Sequence, residues 1–484
     1  MNNKEMIYDY AIIGAGIVGS LIARYLSQYE TKTILLEKEN DIANVQTSAN
    51  SAIIHSGHDP KPGTLKAKLC VLGNEMYDEL EQTMHIPLRR TGAFVVAKNE
   101  TELRTLVELQ ERAKLNGVKS YQLLLKDQIK LEEPHLNDTI VGALSLPTTK
   151  VTFPWEVAIK ACHVAIKNGV TFQKNSMVTN ITYQNDIFDI EVNHNTHILA
   201  KHVINSSGAH SKELSLFLDE ELPFNSTPKR GEYFVLDRQV EGMFKHVIYP
   251  LPSQKGKGVL ITPQTHGNIL LGPTSDYTDD LITYTSRDGL SYVKEHVKDL
   301  CDHIPYPYII RSFSGIRASI DTKDFYIKPS SKYPNFYILA GIDSPGLTAA
   351  PAIAKYLVDE IIQIKEPLKN DFNPYLDQDI IFKDLSLKRQ QELYKEKPKY
   401  GHVICQCEHV SEQEIIDAIL SPVGSQTIKG IKKRTRAGAG TCQGGYCQSE
   451  VLRIIASVTK SEPTSINYDA LGTEILDKES KVGL

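Results

Sequence analysis

The chain has 484 residues, with 54 basic against 59 acidic side chains and a formal net charge of −5. That length exceeds one ordinary hydrophobic core and predicts two or three domains. The near balance of charge supplies no global basic field, which excludes a nucleic-acid-binding surface spread over the chain and favours small-molecule chemistry.

In chain order, the first apolar run is residues 10–26, YAIIGAGIVGSLIARYL. It is too short and glycine-rich to cross a bilayer. Lys4, Glu5 and Asp9 ahead of it do not make the positive segment of a secretory signal. The expected location is the cytoplasm, where thiols stay reduced, so clustered cysteines should bind metal or carry electrons rather than form structural disulfides. Cys70, Cys162 and Cys301 stand alone in apolar surroundings and read as packing residues.

Residues 8–13 read as a buried strand that runs into GAGIVG and then a segment of helical period. In this strand–turn–helix context Gly14 makes the tight turn, Gly16 admits a pyrophosphate to the backbone and Gly19 lets helix pack on strand. A second strand, TKTILLEK, ends at Glu37, whose carboxylate is placed to accept hydrogen bonds from a ribose. The fingerprint predicts a dinucleotide site without choosing NAD or FAD.

Farther along, TSANSAIIHSGHDPKPGTLKAKLCVLGN (residues 47–74), VINSSGAHS (203–211) and YILAGIDSPGLTAAPAIAKYL (337–357) resemble three flavin-contacting segments of the D-amino-acid oxidase superfamily of FAD enzymes. The resemblance implies FAD, held by Gly14, Gly16, Gly19, Glu37, Thr47, Ser48, Ser51, Gly208, Gly341, Gly346, Leu347 and Thr348. The turn before the last helix leaves a helix N-terminus able to stabilise negative charge on the reduced ring. Over residues 6–366 the sequence most resembles the small bacterial FAD-dependent glycerol-3-phosphate oxidases and dehydrogenases, through ANSAIIHSGHDPKPGTLKAK, KRGEYFVL, GKGVLITPQTHGNILLGPT, SGIRASID and SPGLTAAPA. L-2-hydroxyglutarate dehydrogenases share the first two segments but differ around PSQKGKGVLITP.

The activity so implied is oxidation of sn-glycerol 3-phosphate to dihydroxyacetone phosphate. Its alternatives are an L-2-hydroxyglutarate or other 2-hydroxy acid dehydrogenase, and a non-catalytic electron-transfer subunit. A secondary alcohol oxidised by hydride transfer needs a base for its hydroxyl proton. The family match makes His55 that base; His58, three residues on, is its nearest rival and reads as a solvated loop residue. The match also places Lys257 and Arg317 on the anionic substrate, and Ser344 where its hydroxyl binds substrate or flavin. Arg230 is an additional candidate.

Residues 367–400 read as a linker, turn-rich at first and then a charged helical stretch broken by Pro398. Beyond it Cys405 and Cys407 form C-x-C. Ser411 and Glu414 form a capping box, and Cys442 and Cys447 form C-x4-C at the start of an apolar helix. The run KKRTR (432–436) reads as a solvated face whose cations offset thiolate charge. Four soft ligands suit zinc or an iron–sulfur cluster. The helical frame resembles the bacterioferritin-associated-ferredoxin type of [2Fe-2S] domain, although the second pair is more widely spaced than is usual there. A one-electron cluster gives flavin electrons an exit to a partner redox protein, so dehydrogenase is favoured over oxidase.

The expected architecture is α/β. A Rossmann-like FAD-binding domain (6–91, 144–217, 310–366) interleaves with an α+β substrate domain (92–143, 218–309). A small helical [2Fe-2S] domain (401–460) and a polar, frayed tail (461–484) follow the linker. The expected partners are a small anionic substrate and a redox protein, with no nucleic acid, no transmembrane segment and membrane association only through a partner.

Overall fold

The computed structural model describes residues 6–252 and 258–478. The chain divides into two compact units: Met1–Leu36 with Ala43–Leu376, and Glu37–Ile42 with Asp377–Leu484.

The first unit contains two large sheets. In one, the Ile7–Ile13 strand lies parallel between Thr33–Leu36 and Thr196–Asn205. The far end of Thr196–Asn205 continues parallel to Phe336–Ala340. Thr33–Leu36 and Phe336–Ala340 are buried throughout, which is why they read as continuous apolar runs instead of alternating ones. The Ile17–Leu26 helix follows the first strand, as in a dinucleotide fold. The antiparallel Val178–Gln184 and Ile187–Val192 pair extends the sheet at one edge.

Among the described residues the second sheet has nine strands. Lys229–Leu236 is antiparallel to Ile309–Arg317 on one side and to Ile269–Gly272 on the other, and Val247–Tyr249 runs parallel to Ala93–Ala97. Phe94, Phe234, Ile248, Ile261 and Leu271 pack its core. Cys70, Cys162 and Cys301 are fully buried, as packing residues should be. Among the described residues no helix is long and apolar enough to cross a membrane.

The second unit is small and mainly helical, with helices Glu412–Leu420, Ile428–Thr435 and Gln448–Thr459 around Ile415, Ile431, Val451 and Ile455. The capping box forms: the Ser411 hydroxyl accepts from the Glu414 N–H, and the Glu414 carboxylate accepts from the Ser411 N–H at 2.8 Å. The tail is not frayed over its described part. Ile466 is buried in this core, and Asp469 pairs with Lys429.

The KKRTR run is not a solvated face. Lys433 and Arg434 are buried on the buried carboxylate of Asp41, at 2.8 and 2.7 Å, and Arg436 holds Glu408 at 3.0 Å. These three basic side chains found acids far away in sequence, which composition alone does not reveal. Burial by itself would raise the Asp41 pKa, but Arg434 and Lys433 outweigh it and hold the carboxyl well below the usual range. A carboxyl depressed in the folded state adds stability that is present above its unfolded pKa of about 3.9 and is lost as pH falls through the folded value. Asp41→Asn should therefore lower the stability of this unit by about 3–5 kcal/mol, because two buried cations lose their counter-charge. Urea unfolding at neutral pH checks this. The deficit should shrink in acid, where the parent loses the same charge.

Candidate active site and thiol cluster

The phosphate cradle forms where the Ile7–Ile13 strand meets its helix. Gly14 has φ +101°, and a Cβ there would lie 2.7 Å from the Ser206 carbonyl. A Cβ on Gly19 would lie 1.9 Å from the Gly14 carbonyl. Neither position can carry a side chain, so the backbone stays open to a ligand while helix and strand make close contact. Thr47 Oγ1 accepts from the Ile17 N–H at 3.0 Å and so places the 46–51 loop on the helix N-terminus beside Gly16. Glu37, 8% exposed, follows directly on the Thr33–Leu36 strand, and its carboxylate accepts from the Glu39 N–H at 2.9 Å.

Two other segments attributed to the flavin meet that loop through Gln46. Gln46 donates to the Ile342 carbonyl at 3.0 Å and lies beside Gly208. The turn carrying Gly341 and Ser344 is fixed through Asp343, which takes an ion pair from Lys66 and a hydrogen bond from Ser319 at 2.8 Å. The Gly346–Tyr356 helix starts after this turn, and its Leu347 carbonyl accepts from the Tyr77 hydroxyl at 2.7 Å. Ser48 donates to the Val45 carbonyl of its own turn at 2.9 Å, whereas Ser51 meets the Tyr233 hydroxyl at 3.2 Å. The glycine cradle, the helix N-terminus and this ring of loops fit a dinucleotide.

His55 follows the short Ile53–Ile54 strand and is held from several directions. Its N–H donates to Thr348 Oγ1 at 2.9 Å, its carbonyl accepts from Asn74 Nδ2 at 3.0 Å, and its Nδ1 meets the Tyr249 hydroxyl at 2.9 Å. The residue is 9% exposed. Thr348, read from sequence as a flavin contact, thus also anchors the His55 backbone. His58 departs from its expected place on the surface. It is 3% exposed, near Ser56 Oγ at 3.3 Å and edge-on to the Tyr249 ring.

Arg317 ends the Ile309–Arg317 strand, whose register pairs Arg317 with Lys229, Gly315 with Gly231 and Phe313 with Tyr233. These residues share one face. On it the Tyr233 and Phe313 rings stack at 4.6 Å, Gly315 packs against Ala49 of the flavin loop, and the half-buried Arg317 guanidinium donates to the Thr274 carbonyl at 3.3 Å. Arg230 points to the opposite face, its guanidinium 3.8 Å over Tyr284, and so does not join Arg317. Lys257 lies outside the described residues. Tyr233, Lys229 and Tyr249 were not singled out from sequence, and only strand alternation in KRGEYFVL could have marked the first two.

In the second unit the four thiols form two pairs. Cys407 and Cys442 are half-buried with their sulfurs 3.6 Å apart, while Cys405 and Cys447, 1% and 2% exposed, share a thiol–thiol hydrogen bond. That bond pushes the Cys405 thiol down against the effect of burial, and pushes the Cys447 thiol up in the same direction as burial. Cys447 is the N-cap of the Gln448–Thr459 helix. A Cβ on Gly440 would lie 2.4 Å from the Cys407 Cβ, so only glycine passes there. Two thiol pairs suit a dinuclear cluster, in which each iron takes two.

Comparison with known proteins agrees with this geometry. Residues 9–360 match the family model described as FAD dependent oxidoreductase, and residues 403–457 match that of the BFD-like [2Fe-2S] binding domain. The chain is 39% identical over 478 residues, 98% of its own length and 99% of the relative's, to a protein of Caloramator mitchellensis named glycerol 3-phosphate dehydrogenase. A glycerol 3-phosphate oxidase of Mycoplasma genitalium is 33% identical, covering 76% of this chain and 97% of that one. An L-2-hydroxyglutarate dehydrogenase of Caenorhabditis elegans is 30% identical over 62% of this chain and 69% of its own. Among solved structures, the dithionite-reduced, FAD-bound L-alpha-glycerophosphate oxidase of Mycoplasma pneumoniae superposes with a TM-score of 0.74 at 30% identity, covering 78% of this chain and all of that one. With a dinucleotide cradle in one unit and paired thiols in the other, the chain belongs to the FAD dependent oxidoreductases and carries a BFD-like [2Fe-2S] domain behind its flavoprotein part.

Proposed function

We propose that the protein is a dehydrogenase that oxidises sn-glycerol 3-phosphate to dihydroxyacetone phosphate and passes the electrons through its [2Fe-2S] cluster to a separate redox protein. The observation that carries the reading is the fixed, nearly buried His55 in the flavin loop, in a chain similar over 98% of its length to a protein named glycerol 3-phosphate dehydrogenase. FAD, when bound, accepts the hydride from the substrate carbon. His55 Nε2 takes the hydroxyl proton, and its held backbone keeps the ring at the site of transfer. Arg317 and Ser344, with Lys257, bind the phosphate; the fork of Arg317 gives orientation as well as charge. Gly14, Gly16 and Gly19 receive the pyrophosphate, with Glu37 on the ribose. Thr47, Ser51, Gly208, Gly341 and Gly346 surround the flavin. Cys405 with Cys447 and Cys407 with Cys442 hold the cluster, which relays electrons singly. This reading places the enzyme in the cytoplasm, at a membrane only through its redox partner.

The test is anaerobic bleaching of the bound flavin. Glycerol 3-phosphate should reduce it completely and L-2-hydroxyglutarate should not. The reverse result would make the protein a 2-hydroxy acid dehydrogenase, a possibility kept in view by the 30% identical relatives. Bleaching by neither, with dithionite still effective, would make the chain an electron-transfer subunit.

A further inference from the structure

Resting on the reading of His55 as the base, we infer that Tyr249 is a positioning residue for the reaction: its hydroxyl accepts the His55 Nδ1–H and thereby leaves Nε2 as the nitrogen that takes the substrate proton. The two atoms are 2.9 Å apart, and Tyr249 is 2% exposed. The tyrosine comes from the Val247–Tyr249 strand of the second sheet, 194 residues from the histidine.

A neutral imidazole has one N–H, and its position decides what the ring can do. If Nδ1 accepted a proton from the phenol, Nε2 would carry the hydrogen and could not act as base. With the hydrogen on Nδ1, donated to the tyrosine oxygen, the Nε2 lone pair is available. When the substrate hydroxyl gives up its proton, that proton resides on Nε2. The imidazolium then keeps its Nδ1–H on the same oxygen, so a neutral hydrogen bond becomes a charge-assisted one as the reaction proceeds. Such an interaction strengthens toward the transition state and so lowers the barrier rather than the substrate dissociation constant.

The surroundings suit this task. Burial, followed by the charges of Asp59 and Cys70, pushes the Tyr249 phenol well above its ordinary value, so it remains a neutral hydroxyl. The groups facing it are His55, His58, Asp59 and Cys70, with His58 edge-on to its ring at 5.8 Å. Thr348 and Asn74 already hold the His55 backbone, so the tyrosine is needed for the ring's tautomer and orientation, not for the course of the loop.

Tyr249→Phe removes the oxygen and keeps the ring. The full-length holoenzyme should retain its FAD and its substrate dissociation constant. Its limiting rate of anaerobic flavin reduction by glycerol 3-phosphate should fall roughly 10- to 100-fold, the loss expected for a hydrogen bond to a group that becomes charged. The pH profile of that rate should move as well. In a His55→Asn background the same substitution should add no further loss, because the tyrosine acts only through the histidine. If Tyr249→Phe lost its flavin, 3-fluorotyrosine at position 249, a weaker acceptor of nearly the same size, should give an intermediate rate. A slow His55→Asn enzyme beside a Tyr249→Phe enzyme with parental rate and pH profile overturns this inference alone. A parental rate in His55→Asn overturns the assignment of the base and this inference with it. Additive losses in the double variant would make Tyr249 a residue that acts independently of His55.

Discussion

His55→Asn should slow flavin reduction by about 10²- to 10⁴-fold while the protein keeps its FAD, because the substitution removes the proton acceptor and little else. The positions assigned to FAD, from Gly14 to Thr348, do not depend on the imidazole. The anchors from Thr348 and Asn74 grip the residue 55 backbone and would hold an asparagine equally well. The affected quantity should be the limiting rate of reduction at saturating glycerol 3-phosphate, with only a small change in the concentration that half-saturates it. Stopped-flow bleaching at 450 nm without oxygen measures both, and alkaline pH should partly restore the rate by raising the concentration of hydroxide. A variant that bleaches as fast as the parent would remove the histidine from the chemistry. His58, buried with its ring edge-on to Tyr249, would then become the group to examine.

What could be read from the sequence was whatever depends on local backbone or local ligand spacing. The turn at Gly14 needs a positive φ and Gly19 a close approach, and both needs leave a glycine at a fixed offset from an apolar strand. The capping box is local in the same sense, and so are the C-x-C and C-x4-C spacings, although the sulfurs pair across the two motifs, Cys407 with Cys442. Contacts between distant segments leave no such trace. Tyr249 reaches His55 across 194 residues, and Arg434 reaches Asp41 across 393. In each case the partner has an ordinary residue type in an ordinary strand or loop. His58 looked like a solvated residue because its neighbours are Gly57 and Asp59, whereas the fold covers it with Tyr249. The KKRTR run misled for a related reason. A cluster of cations usually remains in water, and here two of them instead enclose one buried carboxylate. Strand alternation also separated two arginines that a motif search treats alike: Arg317 lies on the face toward the flavin loop and Arg230 on the other.

Cys447→Ser should abolish the cluster and leave the flavin chemistry intact. Cys447 is the more demanding of the four positions. It is 2% exposed, caps the Gln448–Thr459 helix and lies against Cys405, so neither water nor a neighbouring side chain can take its place on the metal. A serine oxygen is a harder and more weakly acidic donor than a thiolate, and iron–sulfur clusters select soft ligands. The parent, purified without oxygen, should contain two irons per chain, as a [2Fe-2S] site requires, and give a paramagnetic signal after reduction. The variant should lose both iron and signal. Apart from Glu37, the residues assigned to substrate and flavin belong to the first compact unit and the thiols to the second, so glycerol 3-phosphate should still bleach the variant's FAD. Electrons should then fail to reach a one-electron acceptor protein, while a dye that reacts with reduced flavin directly should restore turnover. The same change at Cys407, whose side chain is half-buried, should be milder, because water can complete the coordination there. If the Cys447→Ser protein held zinc in place of iron, or if it delivered electrons to the acceptor at the parent rate, the thiols would be a structural site and the route from flavin to partner would have to bypass them.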